Sequence, residues 1–158
     1  MNLQKPILVS HTYRQRLKAP PEQVFPLLCP VREKEWVEGW DPRIVYSSSG
    51  YAENDCIFIT SDGDAEAIWM VIYYDPENYK VEFVKVTPGI TAGRISIILY
   101  GDEDKGTIAE ITYTYTALSE RGRTFIEQFT VEAYQAFMKN WEDALNYYLL
   151  TGKQVNRT

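Results

Sequence analysis

Histidine and cysteine are scarce in this sequence. His11 is the only histidine, and Cys29 and Cys56 are the only cysteines among 158 residues. Neither cysteine has a Cys-x-x-Cys partner or a nearby histidine, so the ligand spacing of a zinc site and the cysteine pattern of a disulfide framework are both missing. We therefore expect two reduced, mostly buried thiols and a cytoplasmic location.

Motifs for catalysis and for cofactor binding are also missing. The sequence contains no Gly-x-Ser-x-Gly motif, no base beside either cysteine and no glycine-rich phosphate loop. Cys29, Glu33 and Glu35 lie close together in the sequence, but a zinc site needs three or four ligands at fixed spacing. We expect neither a cofactor nor a metal ion.

Long hydrophobic runs and positive charge are in short supply as well. The longest apolar run, AIWMVIYY at residues 67–74, is far shorter than the ~20 residues that cross a bilayer. The opening residues, MNLQKPILVS, hold an apolar run too short for a signal peptide. A net charge of −6 and a pI of about 4.9 oppose binding to a phosphate backbone or an anionic membrane. We expect neither nucleic acid nor membrane as a partner.

Aromatic residues, in contrast, are abundant. The chain has twelve Tyr, six Phe and four Trp residues, which together make up 14% of it. Their large ring surfaces stabilise a protein mainly when they are removed from water. We therefore expect most of these rings to face a core or a cavity.

The first part of the chain is typical of a strand followed by two short helices. Residues 7–18 alternate between two faces, and His11, Tyr13, Gln15 and Leu17 share one of them. The prolines of APPEQVFPLLCP, residues 19–30, favour a helix that starts after the strand and ends at Pro30. A second helix of one or two turns is predicted at residues 31–36.

Residues 43–118 have the punctuation of antiparallel hairpins. Turn-forming stretches such as SDGD, DPEN and GDEDKG separate runs rich in Val, Ile, Tyr and Thr. In GTIAEITYTYTAL, residues 106–118, Ala109, Ile111, Tyr113 and Tyr115 share the covered face. The stretch AEAIWMVIYY, residues 65–74, is apolar on both faces, so periodicity leaves its orientation open.

The last part of the chain predicts one long amphipathic helix at residues 119–151. Thr124 and Glu127 have the spacing of a capping box, and Gly152 suits the helix end. Residues 152–158 would form a short tail. The apolar stripe comprises Ile126, Phe129, Ala133, Phe137, Trp141, Ala144 and Tyr148. These patterns together predict a curved antiparallel sheet whose aromatic face is wrapped on one helix.

This order of elements resembles the START-like (SRPBCC) superfamily. The resemblance is carried by LKAPPEQVF at the end of the first strand, by GTIAEITYTYT, and by a last helix with Trp141 and Leu145. The superfamily includes birch-pollen-allergen-like proteins, polyketide cyclase/dehydratases and heat-shock ATPase activators. The resemblance implies an α+β helix-grip fold, with about seven strands curled around the C-terminal helix and a deep apolar cavity between them. Residues 1–158 would form a single START-like ligand-binding domain.

The resemblance also places the tryptophan-rich stretch LLCPVREKEWVEGW, residues 27–40, beside the mouth of the cavity. We call it the lid segment and expect Trp36 and Trp40 at the rim. Its charged residues, Arg32, Glu33, Lys34, Glu35 and Glu38, are expected to form a solvated outer face. The full set of predicted cavity residues is His11, Tyr13, Gln15, Trp36, Trp40, Phe58, Trp69, Phe83, Ile111, Tyr113, Tyr115, Phe129, Ala133, Phe137 and Trp141.

Three classes of function are compatible with these expectations. The first is a monomeric or weakly dimeric protein that binds a small apolar or aromatic molecule without catalysis, and we favour it. The second is a cyclase- or dehydratase-like enzyme in which His11, Tyr113 and Tyr115 transfer protons. Against it, His11 could instead be a structural side chain hydrogen-bonded to backbone. Arg94 could hold a ligand carboxylate only if its side chain turns inward.

The third class is a protein-interaction module that resembles the heat-shock ATPase activators. Such a module would use its acidic surface and would show a filled interior with a contiguous exposed apolar patch. A binder or an enzyme would instead need an open cavity. The state of the interior therefore separates the third class from the first two.

Overall fold

The structure is a computed structural model that describes residues 7–155. The start of the segment assessed as a signal peptide, residues 1–6, and the end of the predicted tail, residues 156–158, lie outside the described residues. The strands are β1 Leu8–Leu17, β2 Arg43–Tyr46, β3 Ile57–Asp62, β4 Ala65–Asp75, β5 Lys80–Thr87, β6 Thr91–Gly101 and β7 Thr107–Ala117. The α-helices are α1 Pro21–Val24, α2 Glu120–Gln128 and α3 Val131–Thr151.

The strands form a single antiparallel sheet of the predicted kind. Its order is β1, β7, β6, β5, β4, β3, β2, so that consecutive hairpins carry the chain from β2 to β7. β1 pairs along its whole length with β7 and places His11 opposite Tyr113. The α+β architecture of seven strands with a long C-terminal helix is therefore confirmed.

The inner face of the sheet, which faces the helices, carries the predicted side chains of β7. Ala109, Ile111, Tyr113 and Tyr115 are all buried. On β4, Ala67, Trp69 and Val71 are also buried, which settles the orientation of residues 65–74. The register of β4 against β5 shifts by one residue between Val71 and Tyr73, and the pairing then continues to Asp75 and Lys80.

The two short helices follow β1 as predicted. Pro21 opens α1, where its missing N–H is not needed, and a 3₁₀ helix, Phe25–Leu28, continues directly from it. The second helix is a 3₁₀ helix at Arg32–Glu35. Val24 and Phe25 are buried, so this region closes one end of the core.

The prediction of one unbroken helix at residues 119–151 is wrong, because the chain leaves the helical conformation between α2 and α3. Phe129 has φ −87° and ψ 63°. Thr130 is extended and its side chain accepts a hydrogen bond from the Ala133 N–H, which caps the new helix. Ser119, not Thr124, caps α2. Gly152 ends α3 in the left-handed conformation, as predicted.

Each of the two helices packs on its own part of the sheet. α3 lies across β1, where the Gln15 side chain donates to the Met138 carbonyl at 3.0 Å and Glu142 accepts from the Arg16 N–H at 2.6 Å. α2 lies against β7 and the turn before β6. Gly122 permits this approach, because a Cβ there would lie 1.9 Å from the Ile90 carbonyl oxygen.

Two further expectations concern the cysteines and the membrane. Cys29 and Cys56 are both buried free thiols, as predicted. Within residues 7–155, no helix combines the length and the apolar character needed to cross a bilayer.

Candidate ligand cavity

A cavity of about 660 Å³ lies between the inner face of the sheet, the first half of α3 and the end of the lid segment. Gly39, near the end of the lid segment, and Asp41, directly after it, border the cavity and are exposed. Phe137 of α3 also borders it and is 37% exposed, so the cavity is open to solvent on this side. Pockets that hold drug-sized molecules range from about 300 to 1,000 Å³. This cavity therefore has the volume of a ligand site.

Most of the predicted cavity residues line it. They are Trp40, Phe58, Trp69, Phe83, Tyr113, Tyr115, Phe129, Ala133, Phe137 and Trp141. The rings of Phe58 and Trp69 are stacked with centroids 5.3 Å apart, and Trp40 meets Trp69 edge-on at 6.2 Å. Such stacked and edge-on contacts hold the rings in place before any ligand arrives.

Several of the predicted cavity residues do not line this cavity, because α3 covers β1. The His11 Nε2 lies 2.8 Å from the Phe129 carbonyl oxygen, so its polar group is engaged with backbone. Gln15 is bound to Met138 as described above, and the Tyr13 hydroxyl donates to Glu142 at 3.4 Å.

Two further predicted residues lie in the core. Trp36 is only 1% exposed, so its expected place at the rim is corrected. Its ring meets Trp141 edge-on, and its Nε1 donates to the Leu27 carbonyl at 2.8 Å. Ile111 is buried in the same core. Trp40 remains as the tryptophan of the lid segment that borders the cavity, and its Nε1 donates to the Pro30 carbonyl at 2.8 Å.

Glu33 corrects the prediction for the charged residues of the lid segment. We expected it on a solvated outer face, but its side chain is buried and borders the cavity. The tight 3₁₀ helix turns Glu33 inward, while Arg32 and Glu35 form an ion pair at 2.9 Å on the outside. The run of charged residues in the sequence did not show which side chain would point inward.

The Glu33 side chain borders the cavity in an environment that favours the neutral form of its carboxyl. Burial raises its pKa well above the usual value of 4.5, because the charged form would lose its hydration. The neighbouring Arg32 is paired with Glu35 at 2.9 Å, so it does not neutralise the Glu33 carboxyl. Tyr113 borders the same space, and burial, followed by Tyr115, Tyr134 and Glu33, raises the pKa of its hydroxyl well above 10.

Lys85 is a cavity side chain that sequence reasoning missed. It lies on the inner face of β5, with its Nζ 4.8 Å from the centre of the Trp69 ring and 3.4 Å from the Tyr115 hydroxyl. Burial lowers the pKa of this amine. The signal for its orientation was present in KVEFVKVT, because Lys85 has the same strand parity as the apolar residues Val81 and Phe83.

One cross-strand row brings these groups together. Trp69 pairs with Lys85, Lys85 with Gly93, and Gly93 with Tyr115. A Cβ at Gly93 would lie 2.7 Å from the Tyr115 ring. Glycine at this position therefore lets the Tyr115 ring lie across β6 towards the Lys85 amine.

A smaller cavity of about 350 Å³ adjoins this row on the side of α2. Lys85 and Tyr115 border both spaces. Its far wall includes Arg121, which is paired with Asp64 at 2.9 Å. Arg94, in contrast, points outward and pairs with Glu82 at 2.8 Å, so it is not a cavity residue.

The fold is the helix-grip fold that the sequence resemblance implied. No model of a known protein family matches the chain, and no curated protein sequence matches it. Similar solved structures include norcoclaurine synthase from Thalictrum flavum in complex with dopamine and hydroxybenzaldehyde, at 12% identity and a TM-score of 0.68 over 94% of this chain and 90% of that one. They also include CalU16 from Micromonospora echinospora, at 19% identity and a TM-score of 0.60 over 94% and 84% of the two chains. Identities this low show the fold alone.

Proposed function

We propose that the protein binds a small aromatic molecule in the cavity between the sheet and α3. The observation that supports this most directly is a ligand-sized space with ten aromatic rings in its walls. A planar ligand would bury its faces against these rings, and each well-placed ring pair contributes about 0.5–1.5 kcal/mol beyond area burial. The norcoclaurine synthase structure with dopamine and hydroxybenzaldehyde supports the proposal, since both bound molecules are small and aromatic.

The two alternatives have less support. Catalysis through His11 would require its imidazole to reach the ligand, but the imidazole is bound to the Phe129 carbonyl. A protein-interaction module would have a filled interior, whereas this interior holds a cavity of about 660 Å³. We therefore keep binding as the proposed function.

Two alanines of α3 offer a matched test. Both are exposed on the helix, but Ala133 borders the cavity and Ala136, three residues further along, does not. Ala133→Trp should fill part of the cavity and weaken binding of the neutral fluorescent probe N-phenyl-1-naphthylamine by roughly tenfold or more, as expected for the loss of a well-packed ring contact. Ala136→Trp should bind the probe like the wild type.

Fluorescence titration measures both affinities, and circular dichroism checks the fold of each variant. Equal affinity of the two folded variants for the probe would contradict the proposed function.

A further inference from the structure

We propose that the ligand carries an anionic oxygen, a carboxylate or phenolate, and that Lys85 together with Tyr115 forms the subsite that holds it. This inference rests on the proposed function, because it names the chemical class of the molecule bound in the same cavity. It follows from the charge and the hydrogen-bond donors that the cavity presents.

The first observation is that the Lys85 ammonium is poorly partnered. An ammonium has three N–H donors, and one of them reaches the Tyr115 hydroxyl at 3.4 Å, which is long for a hydrogen bond. The Trp69 and Tyr115 rings lie 4.8 and 5.8 Å from Nζ and attract its charge through their faces, but they accept no ordinary hydrogen bond. Lys85 therefore has donors left for a ligand.

The second observation is that no protein carboxylate neutralises Lys85 at close range. Among residues 7–155, no Asp or Glu oxygen lies within the 4.0 Å of an ion pair with its Nζ. Asp62 influences the Lys85 amine through space, but Asp62 is exposed at the rim. A charge on the cavity wall without a close counter-ion favours a ligand that supplies one.

The third observation is that the neighbouring polar groups can also donate. Glu33 keeps its proton to a higher pH than an exposed glutamate, and the Tyr113 hydroxyl keeps its own. Arg121 lies across the smaller cavity on the side of α2. A ligand rich in acceptor oxygens satisfies these donors, whereas a cationic ligand would be repelled by Lys85.

A matched pair of probes tests the inference. The fluorescent molecules 8-anilinonaphthalene-1-sulfonate and N-phenyl-1-naphthylamine share the same ring system and differ by one anionic sulfonate. We expect the wild-type protein to bind the sulfonate more tightly than the neutral probe. Lys85→Met should weaken binding of the sulfonate probe roughly ten- to hundredfold, as expected when a charged hydrogen bond is lost. The same change should alter the affinity for the neutral probe by less than about threefold.

Two further variants separate charge from fold. Lys85→Arg keeps the positive charge and should retain most of the preference for the sulfonate. Lys80→Met removes an exposed lysine from the same strand and should leave both affinities unchanged.

The same preference should depend on pH in a defined direction. The sulfonate stays ionised, so the preference is present while Lys85 is protonated and is lost as the pH rises through the pKa of its amine. Because burial lowers this pKa, the loss should occur below the usual value of 10.5. The Glu33→Gln variant serves as the background for this measurement, because it removes the other acidic group that titrates in the cavity. Tyr113 and Tyr115 keep their protons, since burial raises the pKa of each hydroxyl.

The outcomes distinguish the inference from the proposed function. Equal wild-type affinities for the two probes, or unchanged sulfonate binding in folded Lys85→Met, would overturn the inference and leave aromatic binding intact. Failure of the wild type to bind either probe would overturn the proposed function and the inference with it.

Discussion

At the scale of single residues, the cavity contains a carboxyl that costs the folded protein stability. Glu33 is buried beside aromatic rings, and burial raises its pKa well above 4.5. Below pH 4.5 the folded and unfolded chains both hold the proton. Above that pH the unfolded chain releases the proton while the folded chain retains it, so stability falls until the pH passes the folded-state pKa.

Glu33→Gln should therefore stabilise the protein at pH 8 but not at pH 4.5. We expect a gain of at least about 1 kcal/mol in the free energy of unfolding at pH 8, because the neutral amide avoids ionisation in a buried place. Glu38→Gln, an exposed change in the same segment, is the control and should have little effect at either pH. Urea unfolding followed by tryptophan fluorescence measures both. A gain that is the same at the two pH values would contradict the raised pKa.

Individual residues were predictable where strand alternation fixed their side, and less so elsewhere. The buried face of Tyr113 and Tyr115 followed from alternation in β7. Lys85 follows the same rule, but it was not among the predicted cavity residues. The inward turn of Glu33 depends on a 3₁₀ helix whose phase the charge pattern does not fix.

At the scale of elements, the sheet was more predictable than the helices. Turn residues marked every hairpin of the meander, because glycine, asparagine and aspartate suit the conformations that tight turns need. The break between α2 and α3 was missed, because the apolar stripe continues through Phe129 and conceals the change of direction. Thr130, a good capping residue, was the local signal for the second start.

The cross-strand row through Gly93 gives a prediction at this scale. Gly93→Ala would place a methyl group 2.7 Å from the Tyr115 ring, and the ring would have to move away from Lys85. We expect a loss of about 1–3 kcal/mol in the free energy of unfolding, typical of overpacking a core.

Gly101→Ala is the matched control for Gly93→Ala on the same strand. A Cβ at Gly101 meets nothing within 4 Å, so this change should be neutral or stabilise by about 0.5 kcal/mol. Denaturant unfolding compares the two variants. Equal stability of both would mean that Gly93 has no role in placing the Tyr115 ring.

At the scale of the whole molecule, the fold was predictable but the position of the cavity was only partly so. The order of elements and the resemblance to the START-like superfamily gave about seven antiparallel strands and the long last helix. The predicted cavity extended to His11 and Gln15, because they share a face with cavity residues. In the structure α3 lies directly on β1, and the open space lies farther along the sheet towards β3 and the lid segment.

The most direct test of aromatic binding is native mass spectrometry after incubation with a small-molecule extract of the source organism. The wild type and Ala136→Trp should retain the same small molecule, and Ala133→Trp should lose it, because tryptophan at position 133 would occupy its place. The mass of the retained molecule should match an aromatic compound that carries an acidic oxygen. Aromatic binding in the cavity is contradicted if the wild type retains no small molecule, or if folded Ala133→Trp retains everything that the wild type does.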